Sequence, residues 1–422
     1  MTFDHLGRER LAALVPEWLL CGHLIDRAAM PHVLAAWGRE GMGQVAIEEW
    51  SSASPVYSRR MRAVLGLEGA GVTDIVKCLQ HDIGAPPQFM DFRFTVKDEE
   101  YGEFALAHCG ALMDVEPMGT DYVVTMCHDI EDPTFDATAV ATNPRAQVRP
   151  IHRPPRTPAD RHPHCAWTIT IDEAREPLAL PGGAVALGDS QAARMPVSSD
   201  PGTPHSTNGN RWSSSRGERA AYRDHYRGAL QADVDWAGYS RTLLLRLADE
   251  ISLQWHLLAL GFARAVASRT TPDEARDLQR KQLVGIAGLT SHRLRSALGL
   301  DPTLEAVADV LAVHPVLNPH SYTGVRTDGD RIFLDLGAPA YQDPGWLPLL
   351  THPDLRPLEA MVRGVCPTAG VVVELATARE QVLRVVETGA AADELSEVAL
   401  TRFSTGADFV FQPRGRGLLP LL

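Results

Sequence analysis

The chain has 422 residues, with 40 basic and 53 acidic side chains and a net charge of −13. At about 150 residues per domain, this length predicts two or three domains. The negative charge argues against a surface for nucleic acid or anionic membranes. The first residues, MTFDHLGRER, are not typical of a signal peptide, and the apolar runs are too short or too interrupted for a membrane span. We therefore expect a cytoplasmic protein whose six cysteines are reduced.

Helices come first in the predicted order of elements. Apolar residues recur at spacings of three and four, which predicts helices at residues 8–26, 30–50, 55–65 and 72–80. Alternating patterns then predict a hairpin at 89–96 and 102–109. A helix at 121–131 is expected to break at Asp132-Pro133, and strands at 147–152 and 165–171 complete an antiparallel sheet. Leading helices and following strands predict an α+β fold.

A change in composition divides the chain. Residues 182–217 are rich in Gly, Ser, Pro and Asn, which is typical of a flexible linker. This places an N-terminal α+β domain at 1–181 and a second domain at 218–422. After a shift of 233 positions, SRRMRAVLGL (58–67) aligns with SHRLRSALGL (291–300). We interpret the halves as duplicated copies, the second degenerate because it lacks the Cys-His pairs of the first. A chance match between helical segments is the alternative.

Metal-ligating residue types are concentrated between residues 108 and 167, which contain three of the six cysteines and five histidines. Thiolate and imidazole ligands are typical of zinc sites in reducing compartments. Adjacent strand residues point to opposite faces, so a cysteine and its histidine neighbour do not readily share an ion. This alternation groups Cys109 with Ala105 and Ala107, and Cys165 with Trp167. The predicted metal ligands are Cys109, Cys127 and Cys165, with zinc as the first candidate and iron as the second.

An acidic side chain follows one of these cysteines at helical spacing. Cys127 and Glu131 are four residues apart, which places them on one face of a helix. Glu131 is therefore the predicted general base for a metal-bound water, with His128 and Asp129 as further candidates. A fourth ligand from His128, His152 or Asp129 would instead close the site into a structural one. The alternative interpretation is that each cysteine packs in the core as a small apolar side chain and binds no metal.

The stretch VRPIHRPPR (148–156) combines arginine and histidine with three prolines. Arg149 or Arg153, with His152, forms the predicted substrate-binding group, because a guanidinium binds a carboxylate through two hydrogen bonds. The alternative is a surface loop whose arginines pair with the many acidic side chains of the chain.

The cysteine pattern resembles a known family. Cys109 at a strand end, Cys127 in MCHDIED and Cys165 in CAW resemble the L-2-amino-thiazoline-4-carboxylic acid hydrolase-like family, and are similar to 4-vinyl reductase domains. The resemblance covers residues 102–172. It implies a compact α+β domain for a small organic ligand, and in the hydrolases the opening of a cyclic C–N linkage.

These residues predict a metal-dependent enzyme, hydrolytic, that acts on a cyclic C–N or amide bond of a small polar molecule. The first alternative is a small-molecule-binding or sensory module with a structural zinc. The second is an iron or haem oxidase. We expect a monomer or homodimer with a small-molecule substrate and no nucleic-acid or membrane partner.

Overall fold

The structure is a computed structural model that describes residues 3–197 and 222–413. The helices are α1 Arg8–Leu65, α2 Val72–Leu79, α3 Gly110–Val115, α4 Thr120–Val124, α5 Glu131–Val140, α6 Gly182–Leu187, α7 Gln191–Arg194, α8 Arg241–Ala267, α9 Pro272–Ala297, α10 Leu304–Ala312, α11 His320–Thr323, α12 Arg356–Val365 and α13 Ser396–Thr401. The strands are β1 Met90–Val96, β2 Tyr101–Cys109, β3 Ala146–His152, β4 Cys165–Ile171, β5 Val325–Asp328, β6 Arg331–Asp335, β7 Ala369–Ala376 and β8 Glu380–Glu387.

The strands form two antiparallel sheets of four, with orders β1-β2-β4-β3 and β5-β6-β8-β7. Together with the helices they make an α+β fold, which confirms the predicted class. The predicted hairpin is β1 and β2, and the two later strands are β3 and β4. The sheets share one strand order, and both follow long helices in the chain. Common descent of the two halves stays a prediction.

Helix α1 differs from its prediction. We expected three helices between residues 8 and 65, but one helix spans them and is interrupted at Gly38, where φ is 68° and ψ is −175°. Pro31 and Pro55 lie inside it because buried packing outweighs the loss of single backbone hydrogen bonds. Gly38 aligns, after the shift of 233 positions, with Thr271, which caps α9 after the break that follows α8.

The predicted break at Asp132-Pro133 was also wrong. Residues 125–130 form a π-helical turn that leads directly into α5. Pro133 lies in the first turn of α5, where a backbone N–H needs no intrahelical partner. The chain therefore continues as helix through the segment that carries Cys127 and Glu131.

One hydrophobic core joins the two halves of the chain. Helix α1 packs on α8 and α9, and Trp255 Nε1 donates a hydrogen bond to the Trp18 carbonyl oxygen at 3.0 Å. At the same interface Arg60 binds buried Glu250 through Nε and Nη2, at 2.8 and 2.7 Å. The ranges 1–181 and 218–422 thus share a core, and the second half packs against the first.

The segment assigned to the linker has two parts. Residues 182–197 include α6 and α7, and Ala184, Leu187 and Ala192 are buried against the rest of the molecule. This part of the segment is helical and packed. The remainder, residues 198–217, lies outside the described residues. Within the described parts of the chain, no helix is both long and apolar enough to cross a membrane.

Candidate active site

A cavity of about 280 Å³ lies in the first half, between α1, the first sheet and α5. Its size is close to the lower end of the range for small-molecule sites, about 300–1,000 Å³. Most of the lining is apolar or aromatic, with Trp50, Phe92 and Phe135 among its side chains. Phe403, which is 85% exposed, also lines it, so the cavity reaches solvent beside the C-terminal segment. This is the architecture of a pocket for a small, largely apolar molecule.

Charged side chains converge within this apolar lining. Helix α1 supplies Asp26 and Arg27, α3 supplies Asp114 and α5 supplies Glu131. Arg27 Nε lies 3.7 Å from Asp26 Oδ1 and 3.5 Å from Asp114 Oδ2. Trp50 Nε1 donates a hydrogen bond to Asp26 Oδ2 at 3.2 Å, whereas Asp26 Oδ1 is buried without a hydrogen bond in the described structure. One guanidinium is therefore shared between two carboxylates at the cavity wall.

His23 lies one helical turn before Asp26 and Arg27. Its ring packs beside Trp50 and Phe89, with centroid separations of 6.0 and 5.7 Å. Neither ring nitrogen has a partner in hydrogen-bonding geometry among the described residues. Burial lowers the pKa of His23 to about 4, so the ring is neutral near pH 7. It can give a cavity ligand one donor and one acceptor.

Glu131 connects this cavity with a second, smaller one. The side chain lines both, because it stands at the start of α5 where the π-helical turn ends. Burial raises the pKa of Glu131 to about 7, and nearby Arg27 opposes that effect. A carboxyl group with this pKa can accept and donate protons near neutral pH.

The second cavity, of about 20 Å³, contains all three predicted metal ligands. Cys109, Cys127 and Cys165 line it together with Glu131 and His164. The volume is enough for one water molecule. The structure thus brings together the three cysteines and the acid that the sequence predicted to meet.

Strand irregularity changes the face of one of these cysteines. The register of β1 and β2 shifts between Met90 and Phe92, so Cys109 is buried on the side of Leu106 and not on that of Ala105 and Ala107. The alternation prediction for Cys109 was therefore wrong, since a bulge adds a residue to the period of two. Cys165 keeps its predicted side with Trp167.

The three thiols of the smaller cavity are in their neutral form in this environment. Burial raises the pKa of Cys109, Cys127 and Cys165 well above the ordinary thiol value. Cys109 Sγ accepts a hydrogen bond from the Leu112 N–H at 3.3 Å. Across residues 3–197 and 222–413, no group of three or more His, Cys, Asp or Glu side chains is arranged to hold a metal ion. Metal binding by the cysteines stays a prediction.

The other predicted bases face elsewhere. His128 Nε2 lies 2.7 Å from the Pro154 carbonyl oxygen, which ties the ring to the loop after β3. Asp129 is exposed. Both side chains are outside the lining of the two cavities, so Glu131 is the predicted base that the structure places at the site.

The predicted substrate-binding arginines bind carboxylates of the protein itself. Arg149, half-exposed on β3, pairs with Asp136 at 2.8 Å. Arg153 pairs with Asp132 at 2.5 Å. His152 ends β3, and desolvation lowers its pKa. These three side chains lie outside both cavity linings, and the pairing is the arrangement that the surface-loop alternative describes.

The sequence reasoning missed the polar residues of α1. Asp26 and Arg27 interrupt a stretch from Leu11 to Val33 in which most side chains are buried. A charged pair inside such an apolar stretch was the available signal, since buried charges need a specific partner or ligand. The alignment of the two halves offers a second signal, because the positions aligned with Asp26 and Arg27 in α8 are Ala259 and Leu260.

The second half contains counterparts of two cavity residues, but they are occupied by internal contacts. His256, aligned with His23, has its Nε2 2.9 Å from the Asn318 carbonyl oxygen. Asp343, which aligns with Asp114 once a deletion of four residues reduces the shift to 229 positions, accepts a hydrogen bond from the Tyr322 hydroxyl at 2.9 Å. In the first half these polar groups lie at a cavity, whereas in the second half they make internal hydrogen bonds.

The second half also contributes to the wall of the first cavity. Ser404 Oγ donates a hydrogen bond to Asp114 Oδ2, and the Thr405 N–H and hydroxyl donate to Oδ1, all at 2.7 Å. The segment after α13 is thereby anchored at the cavity mouth. The complete site requires both halves of the chain.

Comparison of the chain with protein-family models, curated proteins and solved structures finds no match. The assignment of a function therefore depends on the geometry of the site.

Proposed function

We propose that this protein is an enzyme that hydrolyses a C–N bond of a small, largely apolar molecule bound in the larger cavity. The observation that carries the proposal is Glu131, a partly exposed residue at the wall of that cavity, where desolvation raises the pKa of its carboxyl group to about 7. Catalytic carboxyl groups are commonly tuned by burial in this way. The apolar lining changes our expectation for the substrate, which the sequence described only as small and polar.

In this mechanism the Glu131 carboxylate takes a proton from a water molecule as that water attacks the carbon of the C–N bond. The same carboxyl group then returns the proton to the departing nitrogen, and the C–N bond breaks. Arg27 lies close enough to influence the charge on Glu131 and can stabilise negative charge on the attacked group. The apolar walls exclude other water from the reaction.

A zinc ion in the smaller cavity is a further part of the proposal. Cys109, Cys127 and Cys165 would hold it after loss of their protons, and the ion would supply the charge that makes this loss favourable. Six free cysteines, three of them in this cluster, are consistent with the cytoplasmic location that we propose.

One observation favours a second candidate function. The cysteines line the small cavity and not the large one, so a zinc bound there with Glu131 as fourth ligand would be a closed, structural site. The protein would then be a small-molecule-binding or sensory module.

The substitution Glu131→Gln separates these functions. For an enzyme, hydrolysis of a panel of small aryl amides and lactams should fall by about 10²- to 10⁴-fold while any bound metal stays. For the wild type, activity should rise with pH through about 7, because the ionised carboxylate is the base. Asp132→Asn is the matched control, since Asp132 is the next residue of α5 and pairs with Arg153 outside the cavity.

Unchanged turnover in Glu131→Gln, or a panel of which wild-type protein hydrolyses no member, would contradict the enzyme proposal. Loss of zinc from the variant would favour the binding module. A visible spectrum of the same preparation tests the iron or haem alternative.

A further inference from the structure

The larger cavity has an excess of negative charge. Four carboxyl groups line it, from Asp26, Asp82, Asp114 and Glu131, whereas Arg27 is the one guanidinium or ammonium group in its described lining. His23 is neutral near pH 7, so it does not offset them. Even without Glu131, the carboxyl groups of the lining outnumber the single guanidinium of Arg27. Buried net charge is costly unless a counter-charge accompanies it.

Two groups in the cavity wall have polar atoms that make no hydrogen bond in the described structure. Asp26 is 4% exposed, and its Oδ1 accepts no hydrogen bond in the described structure. His23 is 5% exposed, and both ring nitrogens are without a hydrogen-bonding partner there. Buried polar groups in folded proteins are nearly always hydrogen-bonded, so these atoms point to a ligand with hydrogen-bond donors.

The remaining lining fits a cation with an apolar body. Trp50 and Tyr57 bring aromatic rings to the acidic lining, where Trp50 donates a hydrogen bond to Asp26 and Tyr57 donates one to Asp82. Aromatic faces attract ammonium groups, and the effect grows when water is excluded. The other lining side chains are mainly aliphatic or aromatic, including Phe92 and Phe135.

We propose that the ligand of this cavity is a small amphiphilic cation, a molecule with a protonated amine at the acidic end of the cavity and an apolar body along its aromatic lining. This inference rests on the proposed function only in that the cavity takes a small molecule. It concerns the charge of that molecule and not the reaction.

Three probes of the same shape test the charge preference: benzylamine, benzyl alcohol and benzoate. Binding to the full chain is measured at pH 7.5 by calorimetry and by the shift in melting temperature. Benzylamine should bind about tenfold more tightly than benzyl alcohol, as a charge-assisted hydrogen bond allows. Benzoate should not bind, because its carboxylate would add to the negative charge.

The variant Asp26→Asn tests whether the preference for the cation depends on this carboxyl group. Asparagine keeps an oxygen for the Trp50 N–H, so the wall is preserved, but the preference for benzylamine over benzyl alcohol should fall to about threefold or less. Glu131→Gln is a second variant that should weaken benzylamine binding in the same direction. Asp132→Asn removes the same charge outside the cavity and should leave the preference unchanged. Circular dichroism shows that each variant is folded.

The outcomes distinguish this inference from the proposed function. If benzyl alcohol or benzoate binds as tightly as benzylamine, the cation inference is wrong although the cavity still takes small molecules. If benzylamine keeps its preference in both Asp26→Asn and Glu131→Gln, the amine binds elsewhere and the inference is overturned. If no probe of any charge binds, both this inference and the proposed function fail.

Discussion

Replacing Glu131 by glutamine should change how the stability of the fold depends on pH. In the folded protein burial raises the pKa of this carboxyl group to about 7, whereas the ordinary value is 4.5. As pH rises from 4.5 to 7, the unfolded chain therefore loses the proton first. The folded state is disfavoured progressively across this window, and the effect is complete above pH 7. Glutamine has no proton to lose and is not subject to this penalty.

The expected magnitude follows from the two pKa values. A difference between about 7 and 4.5, at about 1.4 kcal/mol per pH unit, corresponds to about 3 kcal/mol. The free energy of unfolding of Glu131→Gln, relative to wild type, should therefore rise by about 3 kcal/mol between pH 4.5 and pH 8. The direction is opposite to that of a carboxylate held in an ion pair, whose removal would destabilise the fold at high pH.

Urea unfolding followed by circular dichroism at several pH values between 4.5 and 8 measures this difference. Asp132→Asn is the control, because it removes an adjacent carboxylate that pairs with Arg153 at 2.5 Å. Since Asp132 also raises the pKa of Glu131, any gain in stability with rising pH should be smaller than that of Glu131→Gln. A stability difference between Glu131→Gln and wild type that stays flat across this range would refute the reasoning. Glu131 would then ionise as an exposed carboxyl group does, and its proposed part in proton transfer would lose its basis.

Three further predictions concern the metal, the joining of the halves and a buried ion pair. Protein purified without chelators should contain about one zinc ion per chain by metal analysis. Cys109→Ala should lose the ion and Cys366→Ala should keep it, and a metal-free wild type would refute the site. A chain cleaved between residues 198 and 217 should elute from gel filtration as one species, because α1 and α8 share a core, and separate fragments would count against this packing. Glu250→Ala, which leaves Arg60 buried without its carboxylate, should cost about 3–5 kcal/mol in urea unfolding. Arg194→Ala in the exposed Arg194–Asp189 pair should cost less than about 1 kcal/mol, and equal costs would show that burial is not the reason.

Local patterns in the sequence were sufficient for the sheet of the first half. The alternation in β1 and β2 predicted a hairpin, and Cys165 lies on the same side as Trp167 because a strand has a strict period of two. Glu131 and the three cysteines were predicted to meet, and they do line one small cavity. In each of these cases the signal is the spacing of residue types along a short segment.

Other features of the fold were set by tertiary packing and could not be predicted from the spacing of residue types. The apolar spacing predicted three helices where α1 runs as one, interrupted at Gly38, because the energy of burying this helix against α8 and α9 exceeds the cost of the hydrogen bonds lost at its prolines. Likewise, Cys109 changes its side because β2 has a bulge, with one more residue than β1 between two paired positions, and this depends on how the two strands pair.

The larger cavity depends on tertiary structure most of all. Asp26 adjoins Arg27 in the sequence, whereas Asp114 lies 87 positions after Arg27 and meets it only through the tertiary fold. Ser404 then reaches Asp114 from a segment 290 positions later in the chain. The sequence gives the residue types of each segment. A cavity, however, is the space between segments that are distant in the sequence. Its position and charge exist only once the long-range packing has been formed.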